Sequence, residues 1–252
     1  MFEPRLALAS LSGQSNATWA RAATPHVGTA FLGGIAICPQ TRRAARGMVE
    51  RDRTEFLPDD AFAFVDEQFR ALADTPIRPG INVRSTDPDQ VARMADVCAA
   101  HDAILEVNAH CRQDEMCAAG AGETLLANPD RLASLVSAAA TEPIPVTVKV
   151  RAEVPDVDLT AVARTVESAG ADGIHVDAMD TAEVIADVVA ASDLFVIANN
   201  GVRDRRTTEA YLGYGADAVS VGRASDRPVV LRSVSEAVTD WFDVRADPVG
   251  PV

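Results

Sequence analysis

Apolar residues along this chain fall into short runs, and most runs are followed by a stretch with helical periodicity. Eight runs read as strands: Leu6–Ala9, Thr29–Ile35, Gly80–Val83, Ile104–Val107, Val146–Val150, Gly173–Val176, Leu194–Ala198 and Ala218–Val221. Amphipathic segments such as Pro88–Ala100, Pro129–Ala140, Leu159–Ala169, Thr181–Ala191 and Thr207–Gly213 lie between them. Turn signals such as Ala169-Gly170-Ala171-Asp172 mark the returns. Strands that alternate with helices pair in parallel, because each crossover returns the chain to the same end of the sheet. Eight such units in 252 residues fit an α/β protein built as a single (β/α)8 barrel. A doubly wound sheet is the competing arrangement, but the GxGxxG fingerprint that would favour it is missing near the start. No linker and no second apolar core is visible, so residues 1–252 read as one domain.

Composition narrows the setting. With 48% hydrophobic and 24% charged residues, bulk disorder is excluded. No apolar run approaches the ~18 residues of a membrane span, and the first residues lack the basic start of a signal peptide. A cytoplasmic protein with no membrane partner is expected. Cys38, Cys98, Cys111 and Cys117 form no CxxC pair, which argues against zinc and against a disulfide scaffold, so no metal site is expected. The formal net charge is −14, and of 23 basic residues 22 are arginine; the one lysine is Lys149. An acidic surface without lysine reads as adaptation to high salt. Codon bias explains arginine in place of lysine but not the excess of carboxylates. In high salt, screening shortens the reach of charge, so the acidity does not exclude RNA.

In such a barrel the chemistry sits where strands end and loops begin. Those positions hold Ser10, Asn82, Arg84, Asn108, His110, Cys111, Lys149, Arg151, His175, Asp177, Asn200, Gly201, Gly222 and Arg223. Lys149 lies in the alternating strand Val146–Val150. A lysine that merely snorkelled could be an arginine, as at every other basic position, so a compact ammonium aimed at a cofactor or substrate oxygen is expected. Cys111 follows the fourth strand and opens a polar loop. Beside His110 and Arg112 it reads equally as a nucleophile or proton donor and as a small half-buried hydrophobe, the reading preferred for Cys98. Asn200-Gly201 and Gly222-Arg223, after the seventh and eighth strands, stand where these barrels hold phosphate. Arg42, Arg43, Arg46, Arg51 and Arg53, with Glu50 and Glu55 interleaved, read as a solvated, ion-paired helix.

The segment Glu106-Val-Asn-Ala-His-Cys111-Arg, followed by Gly120-Ala-Gly-Glu-Thr-Leu-Leu126 and Asn128-Pro129, resembles the signature loop of the tRNA-dihydrouridine synthases. That family carries Asn-x-x-Cys-Pro and a glycine-rich, Leu-Leu-containing stretch at the same spacing. Pro145-Val-Thr-Val-Lys149-Val-Arg151 resembles its flavin-contacting lysine strand. Ala198-Asn-Asn-Gly201 and Gly215-Ala-Asp-Ala-Val-Ser-Val-Gly222-Arg223, continued by Arg227-Pro228, resemble its phosphate-binding ends. Ala9-Ser10-Leu11 stands where the family has Ala-Pro-Met, and Ile174-His-Val-Asp-Ala-Met179 looks most like an archaeal branch. Three positions depart from the pattern. Arg112 replaces the proline after the cysteine, Asn82 replaces a flavin-contacting glutamine, and Asp177 falls at the position of a flavin-phosphate histidine, two residues after His175. The chain also stops soon after the eighth helix, so the family's C-terminal helical RNA-binding domain is expected to be absent.

The resemblance implies an FMN-dependent oxidoreductase in which NADPH or NADH reduces the flavin, the flavin passes hydride to C6 of a uracil ring, and Cys111 protonates C5. It implies that Ser10, Asn82, Asn108, Lys149, His175, Asp177, Asn200, Gly201, Gly222 and Arg223 contact the cofactor, and that His110 and Arg151 face the substrate. Uridine in tRNA is the first substrate implied. A free dihydropyrimidine or dihydroorotate, taken by a related barrel with the same flavin and lysine, is the alternative, and a non-catalytic flavin-binding barrel is the reading from another class. The oligomeric state is left open.

Overall fold

Branched and small apolar side chains pack on both faces of a parallel sheet when helices cover its outside, and this chain supplies them at each of the eight runs. A computed structural model describes residues 1–246. Its strands are β1 (Leu6–Leu8), β2 (Thr29–Ala36), β3 (Arg78–Arg84), β4 (Ile104–Asn108), β5 (Val146–Arg151), β6 (Gly173–Asp177), β7 (Phe195–Asn199) and β8 (Ala218–Val221). They pair in parallel in chain order, and β8 returns to β1 to close an eight-stranded barrel. The fold is therefore the (β/α)8 barrel that the alternation of runs implies.

Helices Pro88–Ala99, Pro129–Ala139, Leu159–Ser168, Val184–Ala191 and Arg205–Gly213 occupy the amphipathic segments. Their apolar stripes, among them Val91, Met94, Leu132, Leu135, Val162, Val166, Ile185 and Leu212, bury against outward strand residues such as Leu105, Val107, Val148, Ile174 and Val196. Short side chains cap several starts: Asp87, Asp158 and Asp204 each accept a hydrogen bond from an amide of the first turn.

The Arg-rich stretch differs from its local reading. The helix ends at Glu50, Arg51 pairs with Glu115 far along the chain, and Glu55 is buried against Arg84 at 2.7 Å. Glu55 answers a distant strand, not the arginines beside it.

Inside the barrel the layers differ in kind. The lower end is filled by Ala7, Phe31, Ile104, Ile197 and Ala218, with Phe2 against them. Above it, Asn82, Glu106, Thr147, His175 and Ser220 are all fully buried. A barrel interior is ordinarily filled with branched aliphatic side chains, so this polar layer asks for an explanation from what lies above it.

Candidate active site

A cavity of about 790 Å³ opens above the polar layer, at the C-terminal ends of the strands. That volume is ordinary for a small-molecule site. Its wall includes Ser10 after β1, Asn108, His110 and Cys111 at and after β4, Lys149 and Arg151 on β5, and Asp177 on β6. Asn200 and Gly201 after β7 and Gly222 and Arg223 after β8 complete it. Eleven of the thirteen residues expected at the site thus share one wall. Asn82 and His175 do not: both are fully buried beneath it, with their polar atoms engaged.

Within the buried layer Asn82, Glu106, His175 and Ser220 form one connected network, whereas the Thr147 hydroxyl finds no partner. Glu106 is its acceptor: Asn82 Nδ2 donates to Oε1 at 2.7 Å, and His175 Nδ1 lies 2.7 Å from Oε2. A carboxylate only accepts, so Nδ1 carries the imidazole proton and Nε2 accepts from the Ser220 hydroxyl at 2.7 Å. Ser220 Oγ in turn accepts from Asn199 Nδ2 at 2.7 Å, back at the cavity wall. Burial alone would raise the Glu106 carboxyl, but the His175 hydrogen bond, the Lys149 charge and Asn82 hold it below the usual carboxylate range. Burial pushes His175 down and keeps it neutral, against the pull of Glu106.

On the other side, Asn82 Oδ1 accepts from Asn108 Nδ2 at 2.8 Å. Asn108 Oδ1 then accepts from the amides of His110 and Cys111, at 3.1 and 2.9 Å. Both ends of the Asn108 amide are thus engaged in shaping the turn that carries Cys111. The glycine-rich stretch closes the turn from outside, where the Glu123 amide donates to the Cys111 carbonyl at 3.0 Å. Gly122 sits at φ +64°, and a Cβ there would lie 2.1 Å from the same carbonyl oxygen, so only glycine lets the two segments meet. Arg151 fixes Glu123 with a 2.7 Å ion pair. Cys111 is 9% exposed and faces the cavity, whereas Cys98 is buried in its helix with its thiol pushed up by burial.

The cavity is cationic although the whole chain carries a formal charge of −14. Arg53, Arg84, Arg112, Lys149, Arg151, Arg203 and Arg223 line it, against the single carboxylate Asp177. Asp177 is already engaged, accepting from His110 Nε2 at 2.7 Å. Burial would raise its carboxyl, but that hydrogen bond and the charges of His110 and Lys149 hold it low. Burial lowers Lys149, and Glu106 and Asp177 oppose this. Among the described residues, the side chains of Arg53, Arg112, Lys149 and Arg223 make no hydrogen bond or ion pair, which leaves four cations open to a ligand. Among the same residues no group of three His, Cys, Asp or Glu side chains is arranged to hold a metal ion, and no helix is long and apolar enough to cross a membrane.

Sequence reasoning gave no role of its own to Glu106, Ser220, Gly122 or Glu123, and read Asn199 only as part of a phosphate-binding end. Glu106 carried a usable signal, since it alternates with Ile104 and Asn108 on the inward face of a central parallel strand. Arg84 was visible as a strand-end residue, but nothing local announced its partner Glu55.

Comparison with known proteins adds to the geometry. The sequence profile of the family described as Dihydrouridine synthase (Dus) matches residues 53–249. An uncharacterized protein of Methanocaldococcus jannaschii is 26% identical over 233 residues, covering 88% of this chain and 89% of that protein. A tRNA-dihydrouridine synthase B of Xanthomonas campestris pv. campestris is 29% identical over 170 residues, covering 62% of this chain and 51% of that protein. The chain thus matches about half the length of that synthase. Among solved structures, a mandelate oxidase mutant with an FMN adduct superposes with a TM-score of 0.60 at 15% identity, over 95% of this chain and 74% of that one. FabK of Thermotoga maritima gives 0.56 at 18%, over 88% and 61%. Both share the fold.

Proposed function

The chain belongs to the dihydrouridine synthase family, and from that premise we propose that it binds FMN and reduces the 5,6 double bond of uridine in tRNA, with NADPH or NADH as reductant. The observation that carries the reading is the pairing, on one wall, of an open lysine ammonium and a cavity-facing cysteine held by a built turn. The cationic lining of an acidic protein supports an anionic cofactor and a polyanionic substrate.

The residues fit a flavin mononucleotide. Lys149 offers an unpaired ammonium to the polar edge of a ring. Gly201, Gly222 and Arg223 offer a phosphate subsite, where a Cβ at Gly222 would meet nothing within 4 Å and Arg223 has no competing partner. Ser10, Asn108, Asp177 and Asn200 complete the cofactor wall, while Asn82 and His175 act from below through Asn108 and Ser220. FMN, when bound, supplies the hydride for C6 of the uracil ring. Cys111 holds the proton for C5, so the ring gains one hydride and one proton and the double bond becomes single. The thiolate left behind recovers its proton from water at the mouth. His110, fixed by Asp177, and Arg151, fixed by Glu123, frame the substrate side. We place this activity in a cytoplasmic, salt-adapted protein.

Purified protein reconstituted with FMN tests this directly. The parent should convert uridine to dihydrouridine in an unmodified tRNA transcript. Cys111→Ala should keep its flavin and its reduction by nicotinamide, while uridine reduction falls by ~10²–10⁴, the ordinary worth of a positioned acid. Lys149→Met should lower flavin occupancy or reactivity. A parent that binds no flavin, or a Cys111→Ala enzyme as fast as the parent, would sink the assignment. Turnover of free uracil or orotate but not tRNA would favour the small-molecule alternative.

A further inference from the structure

Every partner of Glu106 leads upward to the cavity. Asn82 passes its hold to Asn108 and so to the Cys111 turn, and His175 passes its own to Ser220 and Asn199; Lys149, not bonded to Glu106, stands one layer above it on β5, on the wall itself. A buried carboxylate in a barrel core is poorly explained by stability, because apolar side chains of like volume usually serve as well or better. Its position under both reactive side chains supplies the explanation.

We propose that Glu106 is a positioning residue of this site: from one layer beneath the cavity it sets a negative charge under the unpaired Lys149 ammonium and, through Asn82 and Asn108, holds the turn that presents Cys111. The inference rests on the proposed function for the roles of Lys149 and Cys111, but the linkage is a property of the folded chain alone. Four groups besides the cavity's arginines act on Lys149. Glu106 on β4 and Asp177 on β6 favour its charged form, while it disfavours the charged forms of His175 on β6 and His110 after β4. Glu106 is the fully buried member of the two carboxylates, so its removal should dominate.

The composition makes the test clean, since Lys149 is the single lysine of the chain. Protein grown on lysine labelled with ¹⁵N at Nζ gives one side-chain signal, whose shift distinguishes ammonium from amine. In flavin-free protein, Glu106→Gln should lower the Lys149 titration midpoint by about 1–3 pH units, the usual effect of losing a nearby opposite charge. Glu106→Asp, which retains the charge, should restore most of it. An unchanged midpoint in folded Glu106→Gln would overturn the proposal, because a merely structural role would not move it. Should that variant fail to fold, Glu106→Asp carries the test. Its shorter side chain withdraws the Asn82 contact, so the Cys111 amide should exchange with solvent up to about tenfold faster, the worth of a typical hydrogen bond. Unchanged exchange there would overturn the link to the turn. Neither readout uses flavin or RNA, so a failure of the proposed activity and a failure of this inference are separable.

Discussion

Lys149 and Cys111 reach one cavity from adjacent strands, and the residues beneath them explain how each is held. Asn108 is the hinge between them, paired in register with Lys149 and accepting from the Cys111 amide. His175 belongs to the same machinery as a neutral imidazole, donating to Glu106 and accepting from Ser220. This has a consequence for pH. Burial lowers both His175 and His110 below the usual value of 6.5. Below that value the unfolded chain takes up protons that the folded chain refuses, so stability falls as pH drops from 7 toward 5. The slope is at most about 1.4 kcal/mol per pH unit for each histidine. Thermal melts across that range should show the fall, and His175→Gln should flatten it while lowering the midpoint overall. A parental slope in the variant would remove His175 from the account.

At the scale of elements, the turn after β4 and the Gly120–Leu126 stretch act as one unit. The Glu123 amide grips the Cys111 carbonyl, Gly122 leaves room for that approach, and Arg151 ties the grip to β5. Gly122→Ala puts a Cβ both at a positive φ and into that carbonyl, so it should destabilise the fold by more than about 1 kcal/mol. Uridine reduction should fall further than FMN affinity, because the proposed phosphate subsite lies after β7 and β8. A melt together with a flavin-binding titration checks this; equal loss of both would mean that the turn and the cofactor wall are not separate units. The helix at Pro88 was legible because its start carries a local signal, Asp87 before Pro88, whereas the helix read from Thr207 begins two residues earlier, behind the Asp204 cap. The Arg-rich stretch misled because charge pairing looks local in sequence, whereas Arg51 and Glu55 find partners 64 and 29 residues away.

Over the whole molecule, an acidic exterior surrounds a cationic mouth. With a formal charge of −14, carboxylates repel one another in dilute buffer, and the thermal midpoint should rise between dilute buffer and molar salt. A flat response would remove salt adaptation from the account of the composition. The alternation of strands and helices was determined by the sequence itself, because hydrophobic period is a local property, and alternation at this length admits few closed arrangements. Strand-end position likewise marked most of the wall, since in this fold those ends meet at one mouth. Depth was another matter. Whether an inward residue lines the cavity or lies beneath it depends on the stagger between neighbouring strands and on the length of the side chain. His175 stands in register with Lys149, yet only the long lysine reaches the wall, while the imidazole turns to Glu106 and Ser220. The tertiary structure alone decided that, because the partners that hold His175, Asn82 and Arg84 come from segments 24 to 72 residues away, and only closure of the barrel brings them within hydrogen-bonding distance.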